Sequence, residues 1–378
     1  MGVQPSRDGT QSALAESSSK SFWHDLVQEC AVAKGAVFAI RGDSGAGSQA
    51  NTQEQRLKMF WGRSRMGKSF AAACRCGARS APNQDGFFFV EFAGRDFLLG
   101  VMDGYGPGGH KYSEFISWHL PLLLIRNPQF PANVPEALMS AFTAMSGMVR
   151  DRLSGHVEPS GATCVVVVRL GCTLYAANLG DSRAVLYDAS SSQVLSKEHR
   201  PDSPVEKARI SRQGLRRSPT GNSETLSLSN DSGPPTYADF HGKPLWLTEA
   251  PDLKIYPLDP SSPYVLVVGS DGLWDALSLE DVRDLVWDPH QRQSTTTAVR
   301  ESVSLAVRRW THGLEEPSVG VPDIACAVAG FYGDGHRSRP PMADISPSLI
   351  KDVASGGQTK LTSVPMVSDL ERSAKPDM

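Results

Sequence analysis

The sequence predicts an α+β fold in which two antiparallel β-sheets pack face to face and are flanked by helix pairs, an α-β-β-α sandwich. Two observations predict this fold. Short apolar runs typical of strands occur in hairpin-like pairs followed by pairs of helical segments, and the strict strand–helix alternation of a parallel sheet is absent. The chain has 378 residues, of which 40% are hydrophobic, so it can bury a large core.

Each predicted element has its own local signal. The predicted strands share apolar or β-branched runs bounded by turn residues; they are 68–76, 87–92, 97–102, 162–170, 173–177, 184–187, 264–269 and 324–331. The predicted helices share apolar residues repeating every three to four positions; they are 111–125, 134–153, 204–213, 278–286 and 297–310. Ser278, followed by Glu280 and Asp281, is a favourable helix start.

Composition divides the chain into three parts. Residues 1–57 contain polar and Gly/Ser-rich stretches and predict an arm that is largely irregular. Residues 58–333 carry the periodic segments and predict one domain, interrupted by an irregular insert at 211–250 that is rich in Ser, Asn, Pro and Gly. Residues 334–378 are polar and rich in Pro, Ser and Lys, which predicts a disordered tail.

Charge and hydropathy exclude several partners. The net charge is −3 with no basic stripe, which argues against nucleic-acid binding. No apolar run approaches the ~20 residues needed to span a bilayer, so we expect no transmembrane segment. The six cysteines, including Cys74 and Cys76, suit a reduced compartment, so we expect a cytoplasmic protein. We also expect the protein to be a monomer. The start 1–6 fits the N-myristoylation pattern; an acyl chain on Gly2 would give marginal, reversible membrane contact.

Four short acidic segments indicate a metal site. They contain Asp85, Asp103, Asp181 and Asp271, and the second and fourth of these follow apolar runs that predict buried strands. Carboxylates fixed at strand ends are suitable ligands for hard divalent cations, which prefer oxygen. A pair of such cations lowers the pKa of a water between them and so activates it for attack on phosphorus.

These motifs resemble the type 2C family of metal-dependent serine/threonine protein phosphatases. The resemblance covers residues 62–333, and its blocks come in the family's order with its usual separations. The segments that carry it are 83–85, 101–106, 160–163, 177–184, 199–201 and 270–275.

The resemblance implies a fold, a reaction and a set of ligands. It implies the two-sheet sandwich and hydrolysis of phosphoserine and phosphothreonine in a phosphorylated protein substrate. Two Mg²⁺ or Mn²⁺ ions, with a weaker third, would serve the reaction. By position, Asp103 would bridge both ions, the Gly104 carbonyl would bind one, Asp271 would hold one, Asp85 would act through bound water, and Asp181 would serve the third. Arg79 would hold the substrate phosphate.

Five departures from the family pattern bear on activity. Tyr105 stands where the family has the histidine proposed as general acid, and its phenol either donates a proton or fills space. Gln84 replaces an acidic residue. Arg79 lies one position further from Asp85 than expected, with Arg75 as the alternative. The family's last metal-binding block reads Pro322-Asp323 here, with Pro322 at the ligand position. Asp323 lies one position after it in the sequence and either still reaches the metal or does not bind it. Residues 227–237 replace a family block of small and basic residues.

These departures leave two functions open. In the first, Asp103, Asp271 and Asp323 hold the cations and the protein is a phosphatase, the reading that the surviving aspartates favour. In the second, the site is degraded and the protein is a pseudophosphatase that binds a partner or phosphoprotein without turnover.

Overall fold

The computed structural model describes the chain in separate stretches. These are 38–41, 57–63, 69–77, 82–91, 96–153, 160–200, 203–204, 208, 216–219, 226–229, 236–238, 251–287, 294–312 and 321–332. Gly2, Arg79 and the predicted tail at 334–378 lie outside them. The chain divides into two compact units, and Ala39–Gly335 contains every described residue except Phe38, which is grouped with the two chain ends.

Sixteen strands and five helices occur in this described part. In chain order the strands are β1 (Phe38–Arg41), β2 (Leu57–Arg63), β3 (Ser69–Arg75), β4 (Asp85–Glu91), β5 (Phe97–Tyr105), β6 (Gly161–Ala162), β7 (Cys164–Leu170), β8 (Thr173–Leu179), β9 (Arg183–Tyr187), β10 (Ser192–Val194), β11 (Arg216–Pro219), β12 (Leu226–Ser229), β13 (Thr236–Ala238), β14 (Asp252–Pro257), β15 (Pro263–Gly269) and β16 (Ile324–Tyr332). The helices are α1 (Gly109–Arg126), α2 (Val134–Leu153), α3 (Asp271–Trp274), α4 (Leu279–Val286) and α5 (Thr295–Thr311).

Two large sheets form the centre of the fold. One has the order β1-β4-β5-β7-β8-β14, with β6 beside the end of β5, and the other has the order β10-β9-β15-β16-β3-β2. The ladders among β2 to β16 are antiparallel. This architecture confirms the two antiparallel sheets that the hairpin-like pairing of apolar runs predicts.

Alternating side chains build the core between the sheets. In β3, Phe70, Ala72 and Cys74 pack into the inter-sheet cluster, whereas Ala71 and Ala73 join the cluster beneath the helices. Phe70 stacks on Phe89 of the opposite sheet with ring centroids 4.0 Å apart. A fully buried side chain of this size contributes about 1.5–3 kcal/mol, so the alternating side chains of β3 stabilise both the contact between the sheets and the contact with the helices.

Helices cover both outer faces. Helices α1 and α2 pack against each other and on β4, β5 and β8, while α5 packs on β3, β16 and α4. Helix α4 starts where the sequence predicts, because Ser278 and Asp281 form a reciprocal capping box. No helix in the described stretches is long and apolar enough to cross a membrane.

Several regions differ from the prediction. The stretch 211–250, predicted to be irregular, contains β11, β12 and β13, which form a small antiparallel sheet of their own. Strand β14 pairs with β8 along the edge of the first sheet and was not predicted, because its residues are mostly exposed or half-buried and include Ile255. Strand β1 lies within the predicted arm at 1–57.

Candidate metal centre

Asp103 is fixed near the end of β5 by its backbone. It is buried and its Cα pairs with that of Asp85 in β4. Its N–H donates to Thr163 Oγ1 at 3.2 Å, and its carbonyl accepts from Thr163 N at 2.8 Å. The next residue must be glycine, because a Cβ on Gly104 would lie 2.5 Å from the Gly109 carbonyl oxygen. The main chain at Gly104 therefore packs directly against the backbone of Gly109 and Gln84.

Three aspartates from different elements converge beside this strand end. One carboxylate oxygen each from Asp103, Asp181 and Asp271 lies within 4.8 Å of the other two. Asp181 is completely buried in the turn between β8 and β9, and Asp271 opens α3 after β15. Both sheets thus contribute to one group. Asp103 and Asp181 are buried and Asp271 is half-buried, so their negative charges repel each other, and divalent cations with a preference for oxygen ligands would remove that repulsion. The donor set therefore fits a hard divalent metal.

Asp85 is connected to this group indirectly, through Ser270. It is buried, and its Oδ2 accepts a hydrogen bond from Ser270 Oγ at 2.7 Å. Ser270 directly precedes Asp271, and its Oγ also accepts from Ala325 N at 2.9 Å. Asp85 therefore orients the start of α3, a placement compatible with the indirect role that the family pattern implies for it.

Asp323 is placed differently from the other predicted ligands. Its Oδ1 accepts from Gly77 N at 2.6 Å, and its Oδ2 accepts from Gln84 N at 2.8 Å. Among the described residues, the group of three carboxylates within cation-sharing distance does not include it. The structure therefore brings Asp103, Asp181 and Asp271 together and directs the carboxylate of Asp323 towards two amides.

The residues proposed to contact the substrate are only partly described. Arg79 lies outside the described stretches, and the alternative, Arg75, is buried with its Nη1 3.4 Å from the Cys76 carbonyl oxygen. Tyr105 pairs with Gly161 of β6. A Cβ on Gly161 would lie 2.5 Å from Tyr105 Oη, so the phenol packs directly over this glycine. Tyr105 can therefore occupy this space only because residue 161 is a glycine.

A charged segment that was not assigned a role in the sequence connects the turn of Asp181 to the helix of Asp271. Arg183 pairs with Glu198, and Glu198 also accepts from Arg200 Nε at 2.7 Å. Arg200 Nη2 in turn donates to Asp275 Oδ1 at 2.5 Å, just beyond α3. Burial alone would lower the pKa of Arg200, but the hydrogen bonds that it donates to Asp275 and Glu198 outweigh burial and raise the pKa, so Arg200 stays charged.

His199 holds the same turn through the backbone. Its N–H donates to the Gly180 carbonyl at 2.9 Å, and its Nδ1 accepts from Gly180 N at 3.2 Å. Because Nδ1 is the acceptor, Nε2 carries the proton that faces Asp252 Oδ2 at 2.8 Å. Asn178 Nδ2 adds bonds to the carbonyls of Gly180 and Lys197. Asp181 therefore sits in a turn that is fixed on both sides.

Replacement of Arg200 tests whether this charged segment positions the metal ligands. Arg200→Met removes the link to Asp275 while keeping a long side chain, and we expect Mn²⁺ affinity to fall about tenfold, at the low end of effects for groups that orient ligands. Isothermal titration of the metal-free protein measures it. Arg283→Met is the matched control, since Arg283 donates to the carbonyls of Ser191 and Asp188 elsewhere. Equal affinities in both variants would contradict the positioning role.

The fold and the site together define a two-sheet α+β protein with a candidate metal centre where both sheets meet. Residues 74–313 match the family model described as protein phosphatase 2C. The chain is 30% identical over 338 residues to "Probable protein phosphatase 2C 64" of Oryza sativa subsp. japonica, which covers 81% of this chain and 77% of that protein. The chain belongs to the protein phosphatase 2C family, as its motifs predict.

Other comparisons agree with this assignment. The chain is 32% identical over 244 residues to "Protein phosphatase 2C homolog 2" of Schizosaccharomyces pombe, covering 63% of this chain and 65% of that protein. A crystal structure of serine-threonine phosphatase 2C from Toxoplasma gondii matches with a TM-score of 0.58, covering 72% of this chain and 99% of that one. At 19% identity, this likeness supports the shared fold.

Proposed function

We propose that this protein is a metal-dependent phosphatase that hydrolyses phosphoserine and phosphothreonine in protein substrates. The observation that carries the proposal is the convergence of Asp103, Asp181 and Asp271 from both sheets. Family membership supports the same reaction class. The described residues offer no observation in favour of the alternative, a pseudophosphatase that only binds, because the aspartates most needed for turnover are in place.

The chain's own residues would divide the work of holding cations and substrate. Asp103, Asp181 and Asp271 would hold Mg²⁺ or Mn²⁺, two ions with a weaker third, and the Gly104 carbonyl would be a further ligand. Bound cations of this kind supply charge neutralisation for a phosphoryl group and lower the pKa of water. Asp85 and Ser270 orient the start of α3, and Arg200 ties its end to the Asp181 turn.

Phosphate release is the direct test of this function. The full chain with millimolar Mn²⁺ is expected to release phosphate from a phosphothreonine peptide, and excess chelator is expected to stop the release. A phosphotyrosine peptide of the same sequence measures selectivity for serine and threonine. Release that continues unchanged after complete metal removal would contradict a metal-dependent reaction.

The proton donor is tested by substitutions at Tyr105. If the phenol donates a proton to the leaving oxygen, Tyr105→Phe should slow the hydrolysis of phenyl phosphate, a substrate whose phenolate is a poor leaving group. The rate should fall by at least ~10-fold, because a lost acid typically costs ~10²–10⁴ in rate. Tyr105→His should speed it, since imidazole titrates closer to neutral pH than phenol. p-Nitrophenyl phosphate, whose leaving group needs little protonation, is the control substrate. Equal rates for all three proteins on phenyl phosphate would show that Tyr105 only fills the space over Gly161.

A further inference from the structure

Asp323 connects the start of β16 to two distant amides. Gly77 follows β3 and Gln84 precedes β4, and each donates its backbone N–H to a different oxygen of the Asp323 carboxylate, at 2.6 Å and 2.8 Å. Hydrogen bonds to an ionised acceptor are roughly twice as strong as neutral ones. The carboxylate is therefore oriented towards both ends of the β3–β4 connection.

Gln84 carries this contact to the candidate metal centre. Its carbonyl oxygen accepts from Gly104 N at 3.1 Å, and its Nε2 donates to the Gly106 carbonyl at 2.8 Å. The next residue, Asp85, pairs with Asp103 in the β4–β5 ladder. Gln84 thus connects Asp323 to the end of β5, where Asp103 and Gly104 lie.

Two glycines enclose the backbone that bears Asp323. A Cβ on Gly77 would lie 2.4 Å from the carbonyl carbon of Pro322, and a Cβ on Gly272 would lie 2.0 Å from the carbonyl oxygen of Asp323. The backbone of residues 322–323 therefore packs closely against both glycines, at points where no side chain would fit. Pro322, at the position where the family pattern has a ligand, has an apolar side chain without a donor atom.

We propose that Asp323 is a positioning residue that anchors Gly77 and Gln84 and thereby holds Gly104 in place, rather than a cation ligand. The cations are held by Asp103, Asp181 and Asp271. This inference rests on the proposed metal-dependent function. It gives residue 323 a role different from the one that the family pattern implies.

The test compares Asp323→Asn with Asp271→Asn. Titration calorimetry on metal-free protein measures Mn²⁺ affinity, and phosphopeptide hydrolysis measures kcat at rising Mn²⁺ concentration. We expect Asp323→Asn to weaken Mn²⁺ binding by no more than about tenfold, because Gly104 is held less firmly, while kcat falls about tenfold and stays low at saturating Mn²⁺. Asp271→Asn is expected to weaken Mn²⁺ binding by at least about 100-fold, because a ligand is lost.

A third measurement follows the anchoring itself. Hydrogen–deuterium exchange of metal-free protein should show lost protection in peptides covering Gly77 and Gln84 in Asp323→Asn, with Asp271→Asn unchanged there. Asp323→Ser, judged by the same criteria, replaces the amide variant if that variant does not fold.

Two results would overturn the proposal. In the first, Asp323→Asn weakens Mn²⁺ binding as strongly as Asp271→Asn and recovers its kcat in excess Mn²⁺, which would make Asp323 a ligand. In the second, thermal stability falls while kcat and Mn²⁺ affinity stay at wild-type values, which would make Asp323 merely structural. Failure of the proposed function is distinguishable, since it would appear in the wild-type protein as absent Mn²⁺ binding and absent phosphate release.

Discussion

Asp103→Asn is expected to reduce phosphopeptide hydrolysis by at least about 10³-fold and Mn²⁺ affinity by at least about 100-fold. The substitution keeps the side chain's shape but removes its charge and places an amide hydrogen donor among the ligands of a cation site. The backbone bonds to Thr163 involve main-chain atoms of Asp103 and survive the change. The fold should therefore persist while the site loses its central carboxylate. Calorimetric titration and initial-rate assays on the same preparation measure both effects.

The metal-free stability of this variant provides an independent check. Asp103, Asp181 and Asp271 place three carboxylates within 4.8 Å, and without cations their charges repel. Removing one charge should raise the melting temperature of the metal-free protein, whereas added Mn²⁺ should stabilise the variant less than wild type. Asp188→Asn is the matched control: Asp188 accepts bonds from Ser190 and Ser191 in a turn, so its loss should lower stability and leave Mn²⁺ affinity unchanged. Wild-type Mn²⁺ affinity in Asp103→Asn would refute the assigned site.

The strands and most of the site could be predicted because burial leaves a clear pattern in the sequence. The runs at 97–102 and 264–269 are apolar almost throughout, and each is followed closely by an aspartate and a glycine. A buried strand fixes the position of the carboxylate that follows it, so Asp103 and Asp271 could be recognised before their contact was known. The resemblance implies for Asp181 only the weaker third ion, whereas the structure places its carboxylate in the same group as those of Asp103 and Asp271.

The remaining features depend on contacts between distant residues or on exposed strands. The two amides that Asp323 binds lie 246 and 239 residues away in the chain, and nothing in the local sequence at 321–324 indicates them. The charged link is likewise absent from the local sequence pattern, because it consists of the pairs Arg183–Glu198 and Arg200–Asp275, which form only in the folded chain. Strand β14 lacks the apolar alternation of a buried strand because it lies at a sheet edge.

Gly272→Ala is expected to give the largest loss of stability. Its Cβ would lie 2.0 Å from the carbonyl oxygen of Asp323, far inside contact distance, and that oxygen belongs to backbone leading into β16. Overpacking typically costs 1–3 kcal/mol and occasionally more, and a backbone obstacle at this distance should place the loss at about 3 kcal/mol or above. At roughly 2–4 °C per kcal/mol for a domain of this size, the melting temperature should fall by about 6–12 °C. Because Asp271 is the adjacent residue, Mn²⁺ affinity should fall as well.

Gly147→Ala separates this steric effect from the general effect of adding a methyl group. Gly147 lies within α2, and a Cβ there would meet no atom within 4 Å outside the helix's own backbone. Alanine is favoured over glycine in a helix by roughly 0.8–1.0 kcal/mol, so this variant should melt slightly above wild type and bind Mn²⁺ equally well. Thermal unfolding of the three metal-free proteins, followed by calorimetric titration, makes the comparison. If Gly272→Ala melted within 2 °C of wild type, the close approach between α3 and the segment before β16 could not be holding Asp271 beside the other ligands.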